Sequence, residues 1–122
     1  MTIKPLKKPV FSKVSEIDPN SHGLNLVLKV VRVAEESQKG FTEIVAGDDT
    51  GLVTLRLTAE QILLAIVNST VVLRNARVVM IQGRIRLQID KWGKFNTAEL
   101  SAAFEPNNQI DVSAVEYQLV DF

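Results

Sequence analysis

Residues 71–94, VVLRNARVVMIQGRIRLQIDKWGK, carry Arg74, Arg77, Arg84, Arg86, Lys91 and Lys94 against the single acid Asp90. A guanidinium is a planar, permanently charged fork that bonds phosphate or carboxylate bidentately and stacks on flat rings. Several of them on one surface point to an anionic partner. Whether they share a surface depends on the strand pattern. Gln82-Gly83 reads as a two-residue hairpin turn, with Gly83 free to take a positive φ. Ile81 then pairs with Arg84, Val79 with Arg86, and Arg77 with Gln88. Side chains alternate along a strand, so Val78, Met80, Ile85, Leu87 and Ile89 form a core face. Arg77, Arg84 and Arg86 are left on the other face, where they are expected to support no part of the fold.

The formal net charge is zero, with 14 basic and 14 acidic residues, but the signs are segregated. Residues 1–13 hold Lys4, Lys7, Lys8 and Lys13 and no acid; residues 95–122 hold Glu99, Glu105, Asp111, Glu116 and Asp121 and no base. Such segregation creates a local positive field despite neutrality.

Catalysis finds little support. There is no cysteine and one histidine, His22, which sits in a turn cluster without an implied acid–base partner. A zinc site would need an unusual ligand set. Asp48-Asp49-Thr50-Gly51 lacks the alternating spacing of a calcium loop, and a type I turn accounts for it. No phosphate-loop or nucleophile-elbow motif occurs. Neither enzyme activity, metal nor cofactor is expected. No apolar run is long enough to span a membrane, and no signal-peptide core is present. An intracellular protein, nuclear or cytoplasmic and not secreted, is expected.

The elements that would position the cations read as follows. Pro5 and Pro9 oppose helix near the start, Val10, Phe11 and Val14 are candidates to dock on the core, and residues 18–23 form a turn cluster. Leu24 to Val33 alternates as a first strand, slipping at Val30-Val31 as a bulge would. A polar connection over Glu35–Gly40 leads to a second strand, Phe41 to Gly47. A third, Leu52 to Leu57, places Val53, Leu55 and Leu57 inward and Thr54 and Arg56 outward. Residues 58–66 read as a helix, with Thr58 and Gln61 matching a capping box. The cationic hairpin supplies strands four and five, with a bulge near Asn75-Ala76. Ile110 to Phe122 reads as a final strand or short helix packing back.

Strand, strand, strand, helix, strand, strand is the order of an OB-fold, an all-β, five-stranded Greek-key barrel with one short helix between strands three and four. A split five-stranded α+β domain is the alternative. One domain spans 1–122, with 1–9 as a flexible extension and 101–122 packing on the barrel.

Gly47-Asp48-Asp49-Thr50-Gly51, then Leu73-Arg74-Asn75-Ala76-Arg77, then Gly83 with Arg86-Leu87, then Asp90-Lys91-Trp92-Gly93-Lys94 together resemble the single-OB-fold single-stranded DNA-binding proteins of the archaeal and SOSS-B type. They look closest to a plant-type branch carrying a Lys-Trp-Gly segment, as does Val115-Glu116-Tyr117-Gln118-Leu119. The resemblance implies a barrel that binds single-stranded nucleic acid, DNA or RNA, along the face of strands two to five. Positions matching the stacking aromatics of better-known members hold Thr58, Arg77, Ile81 and Gln88, so most of that platform is missing here. Arginine can stand in, giving a more electrostatic and salt-sensitive site. The candidate set is Phe41, Arg56, Arg74, Arg77, Arg84, Arg86, Gln88, Lys91, Trp92 and Lys94. Trp92 could instead close a barrel end, Phe41 could be an edge-strand core residue, and Lys91 and Lys94 could merely solubilise a loop.

Other readings compete. The barrel could be an assembly subunit that meets other proteins through Val72, Val79 and Ile81. It could self-associate through an edge strand. The acidic tail could also fold onto its own barrel and compete for the arginines.

Overall fold

The computed structural model describes residues 10–36 and 40–118; the expected flexible extension over 1–9 lies outside them, as does most of the connection after Glu36. Six strands follow in chain order: β1 (Leu24–Glu36), β2 (Thr42–Asp48), β3 (Gly51–Leu57), β4 (Thr70–Ile81), β5 (Arg84–Gln88) and β6 (Lys94–Thr97). Helix α1 (Ala59–Ile62) lies between β3 and β4. Strands β1, β2 and β3 pair antiparallel in sequence; β3 then pairs parallel with β5, β5 antiparallel with β4, and β4 returns to β1. The result is a closed five-stranded OB-fold barrel, and the split α+β alternative is set aside. β6 is an addition to the expected order, pairing with β4 through Lys94–Arg74 to Thr97–Val71. Only Phe95 of its four residues is buried, too short a pattern to read as a strand.

Period-2 alternation builds the core. Leu26, Leu28, Val30, Val53, Leu55, Leu57, Ile85 and Leu87 are fully buried, and Leu24 nearly so. Register slips at Val30/Arg32 on β1. It slips again where Leu24 and Leu26 face Ala76 and Leu73, with Asn75 at φ 53°. That bulge lets Leu73 and Ala76 both point inward while leaving Arg74 and Arg77 outside.

The β4–β5 hairpin has the expected register, Ile81–Arg84, Val79–Arg86 and Arg77–Gln88. Gln82 (φ 53°) and Gly83 (φ 79°) make the pair of positive φ values typical of a type I′ turn. Met80 departs from the core face, at 39% exposure. Parallel pairing of β3 with β5 spans only Leu55–Leu87 and Arg56–Gln88, so the hairpin tip runs on without a strand beneath it.

Helix α1 is shorter than its sequence pattern. The capping box forms, Gln61 N donating to Thr58 Oγ1 (3.3 Å) and Thr58 N to Gln61 Oε1 (3.0 Å), and Gln61 Nε2 reaches Ile89 O at 2.9 Å. The chain then unwinds towards Asn68 at φ 72°, leaving Leu63, Leu64, Ile66 and Val67 exposed. Of the N-terminal candidates only Val14 docks, fully buried at the start of a 3-10 turn; Val10 and Phe11 stay exposed. Asp48, 1% exposed, accepts Val14 N (3.0 Å) and Thr50 N (2.8 Å). Beside it Lys13 Nζ donates to Asp49 Oδ1 at 2.8 Å. That hydrogen bond holds the Asp49 carboxyl below its ordinary range and the Lys13 ammonium above its own.

Candidate functional site

Where β3 and β5 part, the C-terminal segment fills the gap. Leu52 N donates to Ile110 O (2.7 Å), Thr54 N to Ser113 Oγ (2.9 Å), and Tyr117 N to Gly83 O (2.7 Å). Between these anchors the chain makes a 3-10 turn over Val112–Ala114, with Val112 packed on the core. Over its described part, to Gln118, the expected final strand or short helix is a turn flanked by single β-bridges, Leu52–Asp111 and Arg84–Glu116; residues 119–122 lie outside the described residues.

This segment divides the candidate cations. Arg86 is not an open cation. Its side chain is 17% exposed, with Nε 3.2 Å from Glu43 Oε2 and Nη1 donating to Ser113 O (3.3 Å) and Ile85 O (2.9 Å). It crosses β3 to reach β2, so it does support the fold, contrary to the sequence expectation. Arg84 Nη1 donates to Ala114 O at 3.2 Å, and Nη2 lies 3.9 Å from Glu116 Oε2.

The remaining residues form an open path. Register places Glu43, Arg56, Gln88 and Arg77 in one row across β2, β3, β5 and β4. The Arg56 guanidinium lies over the half-buried Phe41 ring, 4.4 Å from its centroid, a cation–π contact outside the core cluster. Arg77 Nε is 3.2 Å from Asp90 Oδ2, and Asp90 Oδ1 accepts Trp92 N at 3.0 Å. The row therefore leads into the loop after β5.

That loop is built tightly against the β4 bulge. Asn75 Nδ2 donates to Trp92 O at 3.1 Å, and a Cβ on Gly93 would lie 2.6 Å from Arg74 O, which glycine alone avoids. Trp92 does not close the barrel: it is 74% exposed, with Lys91 Nζ 5.1 Å from its ring centroid. Lys94 opposes Arg74 directly across β6 and β4, and both are exposed. Arg74 also sits over Phe11, 5.3 Å from the ring centroid. Phe11 is a member that sequence reasoning missed; it lies far from the hairpin in sequence, and Asn25 of β1 links its segment to the β4 bulge, bonding Ser12 N through its O, Val10 O through its Nδ2 and Asn75 N through its Oδ1.

Arg74, Arg77, Lys91, Trp92 and Lys94 thus gather at one end, Phe41, Arg56 and Gln88 continue the path, and Arg84 and Arg86 lie under the tail. His22 is exposed, as a solvated histidine would be. Among the described residues no group of three or more His, Asp or Glu is placed to hold a metal. Val72, Val79 and Ile81, the anticipated apolar patch, are half-buried.

The profile of the single-stranded DNA binding protein Ssb-like OB-fold family matches residues 17–97. An uncharacterised protein of Arabidopsis thaliana is 32% identical over 132 residues, covering 94% of this chain and 86% of its own. The solution structure of a hypothetical protein from Arabidopsis thaliana superposes with a TM-score of 0.77 at 28% identity, over 100% of this chain and 95% of that one. The solution structure of the OB domain of a Methanosarcina mazei protein aligns with a TM-score of 0.63 at 21% identity, over 79% of this chain and 90% of that domain. At that identity the likeness concerns the fold alone.

Proposed function

The chain belongs to the Ssb-like OB-fold family of single-stranded DNA binding proteins, and on that premise we propose that it binds single-stranded nucleic acid, DNA or RNA, without catalysing a reaction. The strand runs from Trp92, Lys91, Lys94 and Arg74 across Arg77 and Gln88 to the Arg56–Phe41 stack. The observation that carries this reading is the Arg74–Lys94 pair. Like charges directly opposite in a sheet are destabilising. Among the described residues neither has an acid within ion-pair reach. A phosphate between them would relieve the repulsion, and Trp92 beside them offers a base a flat, solvent-facing surface. With one open tryptophan in place of an aromatic platform, charge carries most of the affinity.

A fluorescence-anisotropy titration with single-stranded DNA, single-stranded RNA and duplex DNA, at low and physiological salt, tests this. Single strands are expected to bind and to weaken with salt. Arg74→Glu with Lys94→Glu is expected to flatten the log–log salt slope by about 0.7 for each phosphate no longer neutralised, with an unchanged melting temperature. Absence of single-strand binding at low salt overturns the reading.

The second reading, an assembly subunit, is favoured by a different surface. Leu63, Leu64, Ile66 and Val67 expose apolar side chains after α1. That surface is compatible with nucleic-acid binding elsewhere on the barrel.

A further inference from the structure

We propose that Arg84, at the outer end of the gap between β3 and β5, is a second phosphate-binding subsite, which residues 115–117 of the chain's own C-terminal segment partly occupy until a longer single strand displaces them. The proposal rests on the nucleic-acid reading above and concerns control of the same face. Three acceptors of the segment, Ser113 O, Ala114 O and the Glu116 carboxylate, lie on the guanidiniums of Arg86 and Arg84. Phosphodiester oxygens would offer those guanidiniums the same chemistry. Arg84 and Arg86 are alternate residues of β5, so their Cα atoms are about 7 Å apart along the strand. Gln88, the next outward residue, already belongs to the open row. The Arg84 subsite therefore continues the open path instead of standing apart from it.

The hold on the segment is uneven. Ile110 and Ser113 bond β3 through short hydrogen bonds, and Ser113 is 4% exposed. Beyond Ala114 the segment is held by the single Arg84–Glu116 β-bridge, in which Tyr117 N donates to Gly83 O, and by the long Glu116–Arg84 ion pair. Here Val115 is 49% and Tyr117 39% exposed, and the Glu116 side chain 61%. An exposed ion pair of that length stabilises little. Residues 115–117 are thus the displaceable half; their release takes the Glu116 carboxylate off Arg84, whose side chain is already 43% exposed and keeps its bond to Ala114 O. Arg86 keeps Glu43 and remains structural.

The full-length chain with Glu116→Gln and Tyr117→Pro tests this, because it removes the carboxylate and the N–H that hold the outer half while Ile110 and Ser113 stay anchored. Binding of a single-stranded oligonucleotide is measured against salt by anisotropy, with the fold checked by circular dichroism and thermal melting. The variant is expected to bind about fivefold more tightly at low salt, with a salt slope steeper by about 0.7. Adding Arg84→Ala is expected to abolish that gain. Equal affinity and slope in folded wild type and variant overturn this inference while leaving the proposed function standing. No binding by either chain overturns both. Should the double variant melt early, Glu116→Gln alone is read instead; an affinity unchanged from wild type then overturns the proposal.

Discussion

Trp92→Ala tests the stacking part of the proposed site at little cost to the fold. The indole is 74% exposed, so only about a quarter of it is packed. A fully buried aromatic removes roughly 150–250 Å² from water, so the alanine variant forfeits about 50 Å², or about 1 kcal/mol at ~25 cal/mol/Å². The backbone of the residue does more for the loop than its ring: Trp92 N donates to Asp90 and Trp92 O accepts from Asn75. Both bonds survive in alanine. A base stacked on the ring contributes about 1–3 kcal/mol, so losing it raises Kd about 5- to 150-fold. The assay is anisotropy at fixed salt, with thermal melting as the control for the fold. Trp92 is the only tryptophan of the chain, so its emission reports the same event directly and should quench on adding oligonucleotide. Trp92→Phe should recover most of the affinity. An alanine variant that binds within about twofold of wild type, or an emission unmoved at saturation, refutes the stacking argument.

Two further outcomes test the framework that holds the site. Arg86→Ala is expected to lower unfolding stability by about 2–3 kcal/mol, because it strands the half-buried Glu43 carboxylate. Urea unfolding of Arg86→Ala, Glu43→Gln and the double variant should show coupling between them, and additivity would deny that the pair acts as a unit. Asp48→Ala should also lose about 2–3 kcal/mol, since Val14 N would be buried without an acceptor. A midpoint unchanged in urea would mean that the N-terminal turn holds without that carboxylate.

Strand order, the barrel and the cationic hairpin were legible in the sequence because each depends on local periodicity. Inward Leu24, Leu26 and Leu28, the register of Arg77 opposite Gln88, and the bulge beside Asn75 all follow from which side chains must avoid water. Turn chemistry at Gln82-Gly83 and the Thr58–Gln61 cap are local in the same way. Helix α1 was overread: apolar Leu63 to Val67 look helical, but the chain unwinds among them and leaves them exposed.

Which cations are free was not legible. Alternation put Arg77, Arg84 and Arg86 on one face and gave no sign of what else lies there. Glu43 is 43 residues from Arg86, and Ser113 is 59 from Thr54. Only chain closure brings them together, turning Arg86 from a surface charge into a brace and placing Arg84 beneath the tail. The same closure set Phe11 under Arg74 and pushed Trp92 outward, where either packing or exposure had fitted the sequence. A sequence specifies which face a side chain takes by local periodicity, but the partners it meets there are set by long-range contacts that no local pattern encodes.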